Sequence, residues 1–240
     1  MDKPVTQLLP KFLATVVTAI LALTTLQVAI DPMSPAIHAQ ENEFPGEKIV
    51  HLLQEPRHRT VHNADGLFLL DVQVNPGDES FPHTHDQAIL LTSISNGAGS
   101  SNGTVRAITG YASTPLTHKV SNAGPGLLRI IAFVNDGNGV SGDTRDGPSG
   151  MSSDPQIENL WFRSYRIELA PGEATGLQTH QNPTVIVQGS TGTLHVTRTD
   201  GVTNELAAPG DWAWREEESP FVVRNMGQTT VAVAINEGRQ

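Results

Sequence analysis

An all-β protein, built from one strand-and-turn unit used twice, is the fold class this sequence predicts. Three observations carry the prediction. The chain holds Gly 22 and Pro 16 with only 17% charged residues, a balance that suits many short strands joined by turns. Apolar or alternating runs of strand length recur between Pro-Gly and Asn-Gly turns. Ser164-Tyr165-Arg166-Ile167-Glu168-Leu169 with its turn Ala170-Pro171-Gly172-Glu173 mirrors Leu70 to Glu79. A period of roughly 100 residues means a duplicated domain and not a solenoid. No helical period of useful length follows residue 39.

Taken in order, the chain begins with an export signal. Lys3 and Lys11 precede Phe12–Ile30, an apolar run broken only by threonines and Gln27. Pro32, Ser34 and Pro35 end it, and Ala36-Ile37-His38-Ala39 offers a small residue for cleavage before Gln40. An uncleaved membrane anchor is the alternative for residues 1–39, since the run is just long enough to span a bilayer. Cleavage leaves a periplasmic or secreted protein with no membrane attachment.

Residues 40–136 form the first unit. His51, His58 and His62 lie in a polar lead-in and read as surface residues. Leu67 to Val74 is a strand, ended by the turn Asn75-Pro76-Gly77-Asp78. Residues 88–94 are the next apolar run, and Asn96-Gly97 and Asn102-Gly103 are hairpin dipeptides. Thr104 to Tyr111, Lys119-Val120 and Leu127 to Val134 supply further strands. Residues 137–157, rich in Gly, Pro and Asp, read as a linker with no capacity to form a core. Residues 158–240 are the second unit, in which Val185–Gly189 mirrors Thr92–Gly97 and Phe221–Asn225 mirrors His118–Asn122.

Composition excludes several functions. With no cysteine there is no disulfide, thiolate ligand or cysteine nucleophile. Any metal must rest on imidazole and oxygen ligands. A net charge of −10 without a basic cluster argues against a nucleic-acid partner.

The first unit carries Gly77-x5-His83-x-His85 and, later, His118-x3-Asn122. With Gly97, these residues resemble the two motifs of the cupin superfamily. The resemblance covers nearly all of residues 57–136 and 158–240, and the chain looks like an exported bicupin. It implies two jelly-roll-type antiparallel β-barrels, and pairing of two chains into a homodimer. Two departures stand out. The family's glutamate falls seven residues before Gly97, where this chain has Leu90. The second unit has Gln178 and Phe221 at the positions of His83 and His118, and keeps only His180.

Residues two apart on a strand share a face, so His83 and His85 can both point into the barrel, with His118 joining from a neighbouring strand. Three imidazoles hold a metal and leave coordination positions open for water, dioxygen or substrate. Asp86 or Gln87 is a candidate fourth ligand, and Tyr111 a candidate pocket residue. Gln178 and His180 read as the remnant of a second site. Trp212 and Trp214, on one strand face, are candidates to plug the second barrel. Glu79 and Asn122 recur as Glu173 and Asn225, where the metal set is gone, and so read as scaffold.

The expected cofactor is one divalent transition metal in the first barrel, with iron placed ahead of manganese, zinc and nickel. The expected function is a metal-dependent enzyme, oxygenase-like or isomerase/lyase-like, acting on a small oxygen-rich molecule. A non-catalytic small-molecule-binding or structural module is the alternative.

Overall fold

Leu67–Val74 (β3) is buried on both faces, and that fact organises the molecule. Leu70, Val72 and Val74 point one way, into a cluster with Leu52, Ile89, Leu128, Ile130, Ala132 and Val134. Leu67 and Leu69 point the other way, into a cluster that also draws Phe162, Val185, Val187 and Ala234 from the second unit. A strand with two dry faces belongs to a sheet packed on both sides, which is why these runs read as continuous apolar stretches.

The computed structural model describes residues 44–140 and 147–240. The expected export signal lies outside the described residues, as do residues 141–146 of the expected linker. Among the described residues no helix is long and apolar enough to cross a membrane.

The first unit contains Val50–His51 (β1), His58–Ala64 (β2), β3, His83–His85 (β4), Ala88–Asn96 (β5), Ser100–Ile108 (β6), Leu116–His118 (β7) and Leu128–Asn135 (β8). A five-stranded sheet in the order β2-β3-β8-β5-β6 faces a three-stranded sheet in the order β1-β4-β7. The second unit contains Ile157–Glu158 (β9), Phe162–Leu169 (β10), Thr184–Gln188 (β11), Leu194–Arg198 (β12), Thr203–Leu206 (β13), Trp212–Arg215 (β14), Phe221–Asn225 (β15) and Val231–Gly238 (β16). Its five-stranded sheet runs β14-β11-β16-β10-β9, and its three-stranded sheet β13-β12-β15. Except for the parallel β1–β4 pair, every strand pairing is antiparallel. This is the all-β, jelly-roll-type architecture that the sequence predicts.

Three cores follow from this layout. Each unit has its own, between its five-stranded and three-stranded sheets. The third lies between the two five-stranded sheets and joins the units. Buried polar contacts cross the same plane. Asn236 Nδ2 donates to Thr92 Oγ1 at 3.0 Å, and Asn135 Nδ2 donates to the Arg239 carbonyl at 2.8 Å.

The turns behave as read. Gly77 and Gly172 have φ of +75° and +76°, the left-handed backbone that glycine adopts without strain. Asn122 and Asn225 do the same work in both units. Each Nδ2 donates to two carbonyls, Val74 and Gly126 for Asn122, Leu169 and Thr229 for Asn225. Each Oδ1 accepts a backbone N–H two residues on.

Several finer expectations need correction. β6 ends at Ile108, and Tyr111 sits in a 3-10 turn at Gly110–Ala112. The strand expected at Lys119-Val120 lies one step earlier, at Leu116–His118. Residues 137–157 do lend one apolar side chain, Met151, to the second unit's core. Trp212 and Trp214 do not plug the second barrel. They pair with Val187 and Val185, and so lie on the face toward the inter-sheet core. Ala213 and Arg215 take the inward positions instead, and Ala213 joins the second core.

Candidate metal centre

His83 and His85 are brought to one face because β4 is extended. The structure sets His83 directly opposite His118 in the β4–β7 pairing. All three imidazoles are buried, with 0%, 6% and 2% exposure. Their rings stand 4.6 to 5.1 Å apart, centroid to centroid. One ligating nitrogen from each falls within 4.8 Å of the others, the only such group of metal-binding side chains among the described residues.

The hydrogen bonds say which nitrogens are free. His83 Nδ1 donates to the Phe81 carbonyl at 2.9 Å, so its lone pair is on Nε2, which is buried without a partner. His85 Nε2 and His118 Nε2 face each other at 3.0 Å, and both Nδ1 atoms are without a partner. Buried nitrogens left unsatisfied in this way cost stability unless something occupies the space between them. Three buried imidazoles, each with a ligand nitrogen within 4.8 Å of the others, fit a divalent transition metal.

A buried carboxylate supports the arrangement. Glu55, 2% exposed, accepts the backbone N–H groups of Arg57 and Phe81 at 2.5 and 3.2 Å. It thereby fixes the residue whose carbonyl orients His83. Only its burial marks it, and burial is not visible in a polar lead-in.

The electrostatics keep all of these rings neutral. Burial, then the neighbouring His118 and His83, pushes His85 down to about 2. Burial and then His83 push His118 down to about 4. Burial lowers His83 too, opposed by its bond to the Phe81 carbonyl. An unfolded imidazole takes its proton near pH 6.5. Between that pH and about 4 the unfolded chain binds protons that folded His118 and His85 refuse. Above pH 6.5 both states are neutral and these residues contribute no pH dependence. The metal-free protein should thus lose stability as pH falls below 6.5, by about 1.4 kcal/mol per pH unit for each excluded proton. Urea midpoints between pH 7.5 and 4.5 measure this; a flat profile contradicts the burial of the triad.

The remaining candidates are placed differently. Asp86 accepts from His51 Nε2 at 2.9 Å on the surface. Gln87 Nε2 donates to Asp136 Oδ1 at 3.0 Å. β4 ends at His85, so the alternation that would aim Gln87 inward stops there. Tyr111 does reach the site, its ring 4.8 Å from that of His85. Burial raises its phenol above the ordinary value, so it stays protonated.

Leu90 does not occupy the inward position expected of the family's glutamate. It faces the inter-sheet core, and Ile89 faces the barrel interior. A β-bulge between Ser93 and Ser95 puts a count back from Gly97 out of step by one residue. The position is apolar either way.

Sequence reading also missed His58. It is 3% exposed and not a surface residue. It opposes Val72 across the β2–β3 pairing and shares the inward face. Its ring meets that of His83 edge to face at 4.4 Å, 88° between planes. Val72, the residue opposite it, was the available signal, since the lead-in shows no alternation of its own.

In the second unit Gln178 bridges Phe221 as His83 pairs His118. His180 is closed on every side. Its Nδ1 bonds Glu237 Oε1 at 2.9 Å, its Nε2 bonds Gln178 Oε1 at 3.1 Å, and Phe221 stacks on it at 5.4 Å.

No family model matches this chain, and no curated protein matches it in sequence. Solved structures do. AerE from Microcystis aeruginosa is similar with a TM-score of 0.51 at 7% identity, covering 74% of this chain and 90% of that one. A cupin domain from Bordetella pertussis Tohama I is similar with a TM-score of 0.32 at 27% identity, covering 41% of this chain and 100% of that one. Salicylate 1,2-dioxygenase from Pseudoaminobacter salicylatoxidans, as adducts with gentisate, is similar with a TM-score of 0.48 at 10% identity, covering 72% and 68%. The likeness to AerE is one of fold. The chain has two jelly-roll-type β units in tandem, the all-β fold that its turns and repeat announce.

Proposed function

We propose that this chain is an exported metalloenzyme whose first unit holds one divalent transition metal through His83, His85 and His118. In this reading the metal acts on a small, oxygen-rich molecule. The observation that carries the proposal is the convergence of three buried, neutral imidazoles with no carboxylate among them. Such a set leaves the metal its full charge and open positions, which favours an anionic ligand and, with iron, dioxygen chemistry.

The chain's own residues supply the rest. Glu55 and the Phe81 carbonyl hold His83 in one tautomer and one orientation. Tyr111 keeps a phenol proton beside His85, available to a substrate oxygen. The burial of all three imidazoles keeps bulk water from them. The second unit is a copy without a metal site, its place filled by Gln178, Phe221 and the closed His180. The apolar run Phe12–Ile30 supports export.

The test is dioxygen uptake and turnover by protein loaded in turn with iron, manganese, zinc and nickel, against phenolic, keto-acid and sugar-acid substrates. Uptake with one metal and one substrate class is the expected result. The absence of a carboxylate also favours a second reading, a module that binds small molecules without turnover. Retained metal with no turnover under any loading would select it.

A further inference from the structure

His58 is a buried polar group that the three-histidine site leaves unexplained. Both of its ring nitrogens are buried and neither has a hydrogen-bond partner. It sits against the His83 ring, on the inward face of β2. Val72, opposite it on β3, belongs to the first unit's apolar core and offers no hydrogen-bond partner. The inward position on β5 that could have supplied one carries Ile89. An imidazole with two orphaned nitrogens destabilises the fold unless something bonds them. A hydrophobic residue would fill the same space without that cost.

We propose that His58 is the ligand-side hydrogen-bond donor of this site: it donates to a small anion that binds the metal. The group of ligating nitrogens formed by His83, His85 and His118 does not include it, which places it beside the ligands. As a neutral ring it carries one N–H and one lone pair and can present either nitrogen. It therefore recognises a compact anion with an acceptor atom next to the ligating one, a carboxylate or a similar oxyanion. The inference rests on the metal reading above and adds the polar contact by which the anion is chosen.

Azide is a suitable probe, titrated into cobalt(II)-loaded protein and followed by visible absorption. Wild type and His58→Ala should hold equal cobalt and show the same spectrum before azide is added. His58→Ala should then bind azide about tenfold more weakly, the scale of one hydrogen bond to a charged group. His58→Gln, which keeps a donor, should recover part of the loss, and His58→Phe, which restores volume without a donor, should not. Equal azide affinity in all four proteins overturns the proposal and makes His58 a packing residue. Loss of cobalt from folded His58→Ala or His58→Phe also overturns it, because His58 would then be a ligand. If wild type itself takes up no cobalt, the metal reading fails first and the role of His58 falls with it.

Discussion

Replacing His83 and His118 together with alanine is expected to take bound metal from about one ion per chain to near zero, the largest functional change any substitution here should cause. The two residues face each other across the β4–β7 pairing, so their removal leaves His85 as the sole imidazole of the group. One monodentate ligand on a divalent ion does not compete with water. The fold should survive, because neither ring belongs to the apolar clusters that join the sheets. Both also lose a desolvated polar group whose nitrogens are only partly satisfied. Elemental analysis of the purified variant measures the outcome. His195→Ala, at a half-buried histidine that bonds Glu205 in the second unit, is the control and should keep wild-type metal content. Equal metal in wild type and the double variant would show that the ion is held elsewhere.

How much of this was legible in the sequence depended on whether a feature is set by neighbours in the chain or by neighbours in space. The turns at Gly77 and Gly172 were legible, since a proline followed by glycine specifies its backbone locally. The triad was legible because His83-x-His85 needs only the alternation of one strand. The doubled asparagines were legible because two copies of one unit share a scaffold, and Asn122 and Asn225 bond matching carbonyls. What failed was direction. Leu90 was counted across a bulge that no residue type announces. Trp212 and Trp214 share one strand face, but both faces of their sheet are covered, so an apolar pair can point either way. His58 reads as a surface residue because it lies in a polar lead-in. Its burial is imposed by the strand paired with it.

The inter-sheet core sets the second large effect. Phe133→Ala is expected to cost about 3–5 kcal/mol and to destabilise both units together. Phe133 is 1% exposed and faces the second unit, its ring 5.9 Å from Phe162 and 5.8 Å from Trp214. A cavity at this place removes contacts from both five-stranded sheets at once, and β8 and β10, which carry Phe133 and Phe162, are each held by two neighbours and cannot close in. The three tryptophans, Trp161, Trp212 and Trp214, all pack against this core, so their fluorescence reports the plane between the units. The visible absorption of bound cobalt(II) reports the first unit alone. In urea the two signals should share one midpoint in wild type, and both should move down by the same amount in Phe133→Ala. Ile130→Ala, whose side chain faces only the first unit's own core, should leave the two signals similarly joined if the shared core couples the halves. If instead the cobalt signal is lost at lower urea than the tryptophan change in any of the three proteins, the two barrels unfold separately. The inter-sheet core would then be a contact between independent domains, not a centre that both require.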